Sequence, residues 1–328
     1  MGKLLNGGIG YMYSIGIDLG GTNIATAVVD ENYKIIGKGH LPTNAPRDGY
    51  EVAKDMIRTA ETACADAGIT MADISWIGVG TPGAVNPENG VIETAANLGF
   101  YGVPMKKYVE ELSGKLCFIE NDANAAACGE YIAGAGKSYK HLVAITLGTG
   151  VGGGVIIDGK IFSGSNGYGA ELGHEVIIMD GEPCTCGRNG CWEAYASATA
   201  LIRQTKRAMM DHSESKMWEI AGSLENVNGK TAFDGMRAED PAAKAVCDKY
   251  IEYVGCGIVN MINIFQPEIL CIGGGISKEK DNLTVPIREY VERNVFTRKT
   301  DKRTVITTAQ LGNDAGIIGA ATLGYLAQ

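Results

Sequence analysis

The sequence predicts an α/β protein of two domains built on one plan. Two observations carry the plan. A strand, a glycine turn and a strand run from Tyr13 to Asp30, and the same order returns between His141 and Ile157. The segments between and after them place apolar residues at helical spacing. The length of 328 residues suits two packed domains better than one small core.

In order along the chain, Tyr13–Asp18 reads as a buried strand ending in the turn Leu19-Gly20-Gly21-Thr22. Asn23–Asp30, rich in Ala and Val, and Lys34–His40 complete a meander, not the strand–turn–helix of a dinucleotide fingerprint. Arg47–Gly68 reads as a helix with Gly68 as its C-terminal stop. Ile74–Val79 is a strand running into Thr81-Pro82-Gly83, and Val103–Leu112 a short helix. Leu116–Glu120 is a strand ending in Asn121-Asp122, and an alanine-rich helix follows from Ala123 to about Ala135.

His141–Leu147, a glycine loop and Val155–Ile157 open the second half. Helices are expected at Ser197–Met210, Pro241–Phe265 and Thr284–Val295, with a strand at Ile269–Ile272. The final helix, Asp314–Leu326, carries Gly316, Gly319, Ala320 and Ala321 for close packing. The boundary is expected at Asn121–Asp122, giving a smaller domain of 11–121 plus 312–328 and a larger one of 122–311.

Composition excludes several classes. With 45% hydrophobic and 20% charged residues the chain reads as an ordinary globular protein. A net charge of -9 argues against a sequence-independent nucleic-acid binder, which needs a basic face. No run approaches the ~18 apolar residues of a membrane span, and Met1–Gly10 lacks the apolar core of a signal peptide. Six of the nine cysteines (Cys64, Cys117, Cys128, Cys247, Cys256 and Cys271) lie scattered in apolar or helical contexts, as reduced thiols of a cytoplasmic protein do. Met1–Gly10 reads as a loose extension, with Met12 able to start a complete fold.

His174, Cys184, Cys186 and Cys191 form the ligand set of a closed tetrahedral zinc site. Glu171 lies three residues before the histidine and Glu193 two after the last cysteine, so the knot reads as either scaffold or catalyst. Cys184-x-Cys186 lacks the C-x-x-C spacing of a redox pair. Asp18-Leu-Gly-Gly-Thr22 places a carboxylate and a hydroxyl at a turn whose glycines let backbone N–H groups approach phosphate, and Asp18 suits a hydrated Mg²⁺. Leu147-Gly-Thr-Gly-Val-Gly-Gly-Gly154 repeats the design, and its five glycines in eight residues argue against a mere connector. One such loop per half can clamp a polyphosphate, and Gly273-Gly274-Gly275 can pass close to the face of a base. Asp122 is either the N-cap of the following helix or a general base toward a hydroxyl that attacks a γ-phosphate. Asn121 can both donate to and accept from sugar hydroxyls. His40, His141 and His212 lack a ligand cluster and read as surface or packing residues.

With these motifs in this order the chain resembles the ROK family from about Tyr13 to its C-terminus. The most specific segments are Gly169-Ala-Glu-Leu-Gly-His174 and Cys184-Thr-Cys-Gly-Arg-Asn-Gly-Cys191-Trp-Glu193. The resemblance implies the actin-like ATPase (hexokinase-type, ribonuclease H-like) fold and an ATP-dependent hexose kinase acting at the 6-hydroxyl, glucose being the first expectation. Asp122 would be the base. Gly83, Asn97, Asn121, Glu171, His174 and Glu193 would hold the sugar. Asp18, Gly20, Gly21, Thr22 and Asn23, with Gly148, Thr149 and Gly150, would hold the ATP phosphates, and Gly273–Gly275 the adenosine. Asn23 stands where many members carry lysine. The metal would be structural, with one nitrogen of His174 on zinc and the other facing a sugar hydroxyl. The domains would close on the sugar and MgATP, and a homodimer is implied. Another sugar (fructose, mannose or N-acetylmannosamine) or a sugar-responsive ROK regulator is the alternative.

Overall fold

The computed structural model describes residues 12–326, and the expected extension at Met1–Gly10 lies outside them. In chain order the strands and helices are β1 (Tyr13–Leu19), β2 (Asn23–Val29), β3 (Ile35–Pro42), α1 (Gly49–Asp66), β4 (Ile74–Thr81), β5 (Ala84–Asn86), β6 (Val91–Ala95), β7 (Phe100–Val103), α2 (Met105–Ser113), β8 (Leu116–Asn121) and α3 (Asp122–Ile132). Then come β9 (Leu142–Leu147), β10 (Val151–Ile157), β11 (Lys160–Ile161), α4 (Glu193–Ala196), α5 (Ala198–Asp211), α6 (Met217–Ala221), α7 (Thr231–Arg237), α8 (Pro241–Phe265), β12 (Ile269–Gly273), α9 (Asp281–Asn294), β13 (Val305–Thr308) and α10 (Ala315–Leu326).

The chain forms two compact units. One runs to Gly129 and resumes at Gly316, and the other is Glu130–Ala315. The sequence reading put the first junction at Asn121–Asp122 and the return at 312. The observed division falls later in both places. Helix α3 is unbroken, and its first half packs so tightly on α10 that it belongs with the first unit.

Each unit is built on a five-stranded sheet of the same plan. The orders are β3-β2-β1-β4-β8 and β11-β10-β9-β12-β13. In both, an antiparallel meander is extended by two strands parallel to its first member. The first unit adds a small sheet, β5-β6-β7, which weak alternation had hidden in the sequence. The density of glycine after Leu147 proved misleading. Gly152, Gly153 and Gly154 lie in β10, paired with Thr146, Ile145 and Ala144, so the turn itself is only Gly148–Gly150.

Helix ends follow their local chemistry. The Asp48 carboxylate accepts the N–H groups of Tyr50 and Glu51 at the start of α1. Asp240 does the same for Ala242 and Ala243, with Pro241 in the first turn of α8. Helix α8 is the spine of the second unit, burying Tyr250, Val254 and Ile258 completely. Among the described residues no helix is long and apolar enough to cross a membrane.

The first unit depends on a contact that only glycine allows. Helix α10 lies directly on β1 and β4, so a Cβ on Gly78 would stand 1.8 Å from the Ala320 carbonyl oxygen. Toward α3, a Cβ on Gly319 would stand 1.6 Å from the Ala125 oxygen. Trp76 then fixes the helix along its axis by donating its indole N–H to the Ala321 oxygen at 2.8 Å. The helix cannot retreat without breaking this bond and uncovering the fully buried Ala320 and Ala321. Gly78→Ala is therefore expected to destabilise the protein by about 2–3 kcal/mol, the upper part of the range for overpacking. An unchanged urea midpoint in that variant would refute this account of the packing.

Candidate functional site

In the first unit the candidate residues gather at the carboxyl ends of three parallel strands. Asp18 of β1 is in register with Gly80 of β4, and Gly80 with Glu120 of β8. Asn121 and Asp122 therefore emerge two strands away from Asp18, at the edge where α/β sheets hold ligands. After Asp18 the chain turns tightly, with the Gly20 N–H donating to the Asn23 oxygen at 2.9 Å. The Asn97 stretch lies against this turn, since a Cβ on Gly21 would stand 3.2 Å from the Asn97 oxygen. Gly83 has φ +87°, and a Cβ there would fall 2.0 Å from the Thr94 oxygen.

The structure separates two roles that the sequence left merged. Asn121 Oδ1 accepts the N–H groups of Ala123 (2.9 Å) and Asn124 (3.3 Å), and its Nδ2 donates to the Gly83 oxygen at 2.9 Å. Asn121 is thus the cap of α3. Asp122 stands at the first helical position, accepts the adjacent Ala123 N–H at 2.8 Å, and keeps its side chain exposed. Behind them the buried carboxylate of Glu120 accepts from Asn121 N–H and Asn124 Nδ2.

Desolvation by surrounding protein raises the Asp122 carboxyl above its ordinary value, against the lowering effect of the Ala123 N–H. Desolvation raises Asp18 too, and the charge of Asp122 adds to it. A cation beside them would oppose both shifts. Two hard oxygen donors at a phosphate turn fit Mg²⁺.

In the second unit the same sheet edge carries the other turns. Gly148–Gly150 follows β9, and Gly273–Gly275 follows its parallel neighbour β12, with Gly273 in register with Thr146. Gly274 has φ +83°, and a Cβ there would stand 2.4 Å from the Leu147 oxygen, so these loops lie side by side. Gly148 and Gly275 face open space.

The cysteine knot is a set of tight turns. Cys184 N–H donates to the Arg188 oxygen and Gly187 N–H to the Cys184 oxygen, while Val176 and Cys191 form an isolated bridge. The four ligand atoms lie within 4.8 Å of one another. His174 Nδ1 to Cys184 Sγ and Cys186 Sγ to Cys191 Sγ are both 3.6 Å. A tetrahedral ion with bonds of about 2.0–2.3 Å requires edges of roughly 3.5–3.8 Å, so the set fits. Burial and then the neighbouring thiols push Cys191 up to about 12, a cost that a bound divalent ion reverses. With Nδ1 turned to the sulfurs, Nε2 of His174 is left for another partner.

Glu193 ties the knot to the glycine turn. Its Oε2 accepts the Val151 N–H at 3.0 Å, and its Oε1 accepts from Thr185 Oγ1 at 3.2 Å. The preceding Trp192 is fully buried against α8 and donates to the Tyr253 oxygen at 2.8 Å. Glu171 is exposed, beginning the short 3₁₀ turn Leu172–His174, which packs against Val151. Thr185 and the capping use of Asn121 were not anticipated from sequence. Of the remaining histidines, His141 and His212 sit beside Asp158 and Glu214, and His40 is exposed.

The sequence pattern of the ROK family matches residues 14–325. A glucokinase from Thermotoga maritima is 38% identical over 313 residues, covering 94% of this chain and 96% of that protein. A solved ROK family glucokinase from Streptomyces griseus, in complex with glucose and AMPPNP, is similar with a TM-score of 0.79 at 35% identity, covering 95% of this chain and 98% of that one. A ROK hexokinase from Thermus thermophilus gives a TM-score of 0.80 at 32% identity, covering 96% and 99%. The fold is the two-domain actin-like ATPase fold. Within it, this chain belongs to the ROK family.

The capping assignment is open to test by stability alone. Asn121→Ala should lose about 1–2 kcal/mol, as caps do, whereas Asp122→Ala should cost only a few tenths. Equal losses in urea denaturation would return the capping role to Asp122.

Proposed function

We propose that this ROK protein transfers the γ-phosphoryl group of ATP to the 6-hydroxyl of a hexose, glucose in the first place, with Asp122 as general base. The observation that carries the reading is the division of labour at α3. Asn121 satisfies the helix end, which leaves an exposed Asp122 carboxylate whose raised pKa suits proton acceptance. In the reaction the hydroxyl proton passes to Asp122 as the sugar oxygen bonds to the γ-phosphorus and ADP leaves.

Asn97, Asn121, the backbone at Gly83, Glu171, His174 and Glu193 are assigned to the sugar. Carboxylate and amide groups of this kind give charge-assisted hydrogen bonds to a neutral polyol. The turns Asp18–Asn23 and Gly148–Gly150 are assigned to the phosphates and Gly273–Gly275 to the adenosine. Asp18 would hold Mg²⁺, which neutralises phosphate charge when bound. His174, Cys184, Cys186 and Cys191 would hold a structural Zn²⁺ that aims His174 Nε2. A cytoplasmic homodimer is part of the proposal. All nine cysteines are free thiols, as a reducing compartment keeps them.

A coupled ADP-release assay across hexoses and N-acetylhexosamines, with ATP and polyphosphate as donors, tests the activity. Glucose with ATP should give the highest kcat/KM, and a different preferred pair would replace the substrate named above. Asp122→Asn should keep glucose binding and lose about 10³-fold or more in kcat. Because its folded pKa is raised, the base is lost by protonation as pH falls. The acid limb of wild-type kcat/KM should therefore lie above the ~3.9 of an ordinary aspartate. Near-normal turnover in Asp122→Asn would remove it from the role of base.

Metal analysis should find about one zinc per chain. Its removal should lower both the melting temperature and glucose affinity. Full stability and affinity in a zinc-free protein would sink the structural-metal assignment.

A further inference from the structure

Both glycine turns are held from behind, and in each a threonine supplies part of the hold. Thr43, just past β3 and fully buried, donates its hydroxyl to the Gly20 oxygen at 2.6 Å and its N–H to the Thr22 oxygen at 2.8 Å. Its own carbonyl accepts from Arg47, which Asp55 holds at 2.6 Å. In the second unit Thr199, in the first turn of α5, donates its hydroxyl to the Thr149 oxygen at 2.8 Å. Beside it the Ala198 N–H takes the Gly148 oxygen, also at 2.8 Å.

The consequence follows from peptide geometry. In a trans peptide the C=O and the next residue's N–H point in opposite directions. Pinning the Gly20 and Thr22 carbonyls toward Thr43 therefore aims the Gly21 and Asn23 N–H groups away from it. Pinning the Gly148 and Thr149 carbonyls toward α5 aims the Thr149 and Gly150 N–H groups away from α5. A glycine turn left to itself samples more than one peptide orientation, and some of these would present a carbonyl oxygen to an anion. Fixing the orientation in advance removes that cost from binding.

We infer that Thr43 and Thr199 are positioning residues for the phosphoryl donor, each locking one turn so that its N–H groups face the phosphates. This rests on the assignment of the two turns to ATP. It also explains why two different folds of chain, a strand end and a helix start, converge on one hydroxyl-to-carbonyl contact.

The test compares Thr43→Val, Thr43→Ser, Thr199→Val and Thr199→Ser in steady-state kinetics, with ADP affinity measured by calorimetry on the same proteins. Each valine variant should raise KM for ATP and Kd for ADP about fivefold, the worth of one ordinary hydrogen bond. KM for glucose should stay within twofold, and each serine variant should restore nucleotide affinity. Thr199 is exposed, so its valine variant should fold even if the buried Thr43→Val does not, and Thr43→Ser then reports on that site. Unchanged nucleotide affinity in Thr199→Val, or an equal rise in glucose KM, would overturn the inference. A wild-type protein that binds no adenine nucleotide would instead defeat the ATP reading itself.

Discussion

The contact of α10 with the first sheet is the constraint on which the first unit depends. Because Gly78 presents no side chain, the helix backbone meets the sheet at a separation that any Cβ would abolish. Gly319 then repeats the condition toward α3. Helix α3 also lies directly on the sheet, since a Cβ on Gly80 would stand 3.2 Å from the Ala125 Cβ, so sheet, α10 and α3 are each in contact with the other two. Asp18 leaves the sheet at the end of β1, and Asp122 begins α3. Their separation is therefore set within the sheet, where Gly80 stands between them and a Cβ on it would lie 3.7 Å from the Asp122 Cα. Gly316, in the first turn of α10, completes the arrangement, since a Cβ there would lie 3.7 Å from Asp18 Oδ2.

The knot plays the corresponding part in the second unit, by different means. Trp192 anchors it to α8, and Glu193 joins it to the start of β10, where the glycine turn ends. A segment made of turns buries little apolar surface of its own and needs cross-links to hold a shape. Four ligands on one ion would supply them, and the ligand that is also a candidate sugar contact is His174. The question of scaffold or catalyst is thereby narrowed. The sulfurs and Nδ1 face one another, and only Nε2 of His174 is left to meet a substrate, so the chemistry in the proposed reaction belongs to Asp122.

Much of the fold was legible because its signals are local. The bounds of α8 at Pro241 and Phe265 follow from Asp240-Pro241 at one end and the last apolar residue at the other. Strand β1 followed from its apolar run, and the packing of α10 from its small residues. Where the reading failed, one residue type had two uses. Glycine after Leu147 looked like a phosphate loop throughout, yet Gly153 is bare so that Leu172 can pack, since a Cβ would stand 2.5 Å from its Cδ1. Asn121 and Asp122 are equally good caps, and only coordinates assign the bond. The threonine contacts were invisible for another reason. Thr43 reaches 23 residues back and Thr199 reaches 50, and no spacing rule spans such distances.

The two carboxylates at the first sheet edge show why the Asp18–Asn23 turn must be held so firmly. Desolvation by the surrounding protein raises both Asp18 and Asp122, and the charge of Asp122 adds to the shift on Asp18. A nucleotide brings further negative charge to such a place, and only fixed dipoles or a cation can balance it. Water would have to reorganise around each new charge, whereas pinned peptide N–H groups are already aligned. Carbonyls free to turn inward would add to the repulsion in place of relieving it. In the proposed reaction, a place where Asp122 takes a proton beside a nucleotide demands a turn that cannot flip, and Thr43 behind the Asp18–Asn23 turn meets that demand without adding charge.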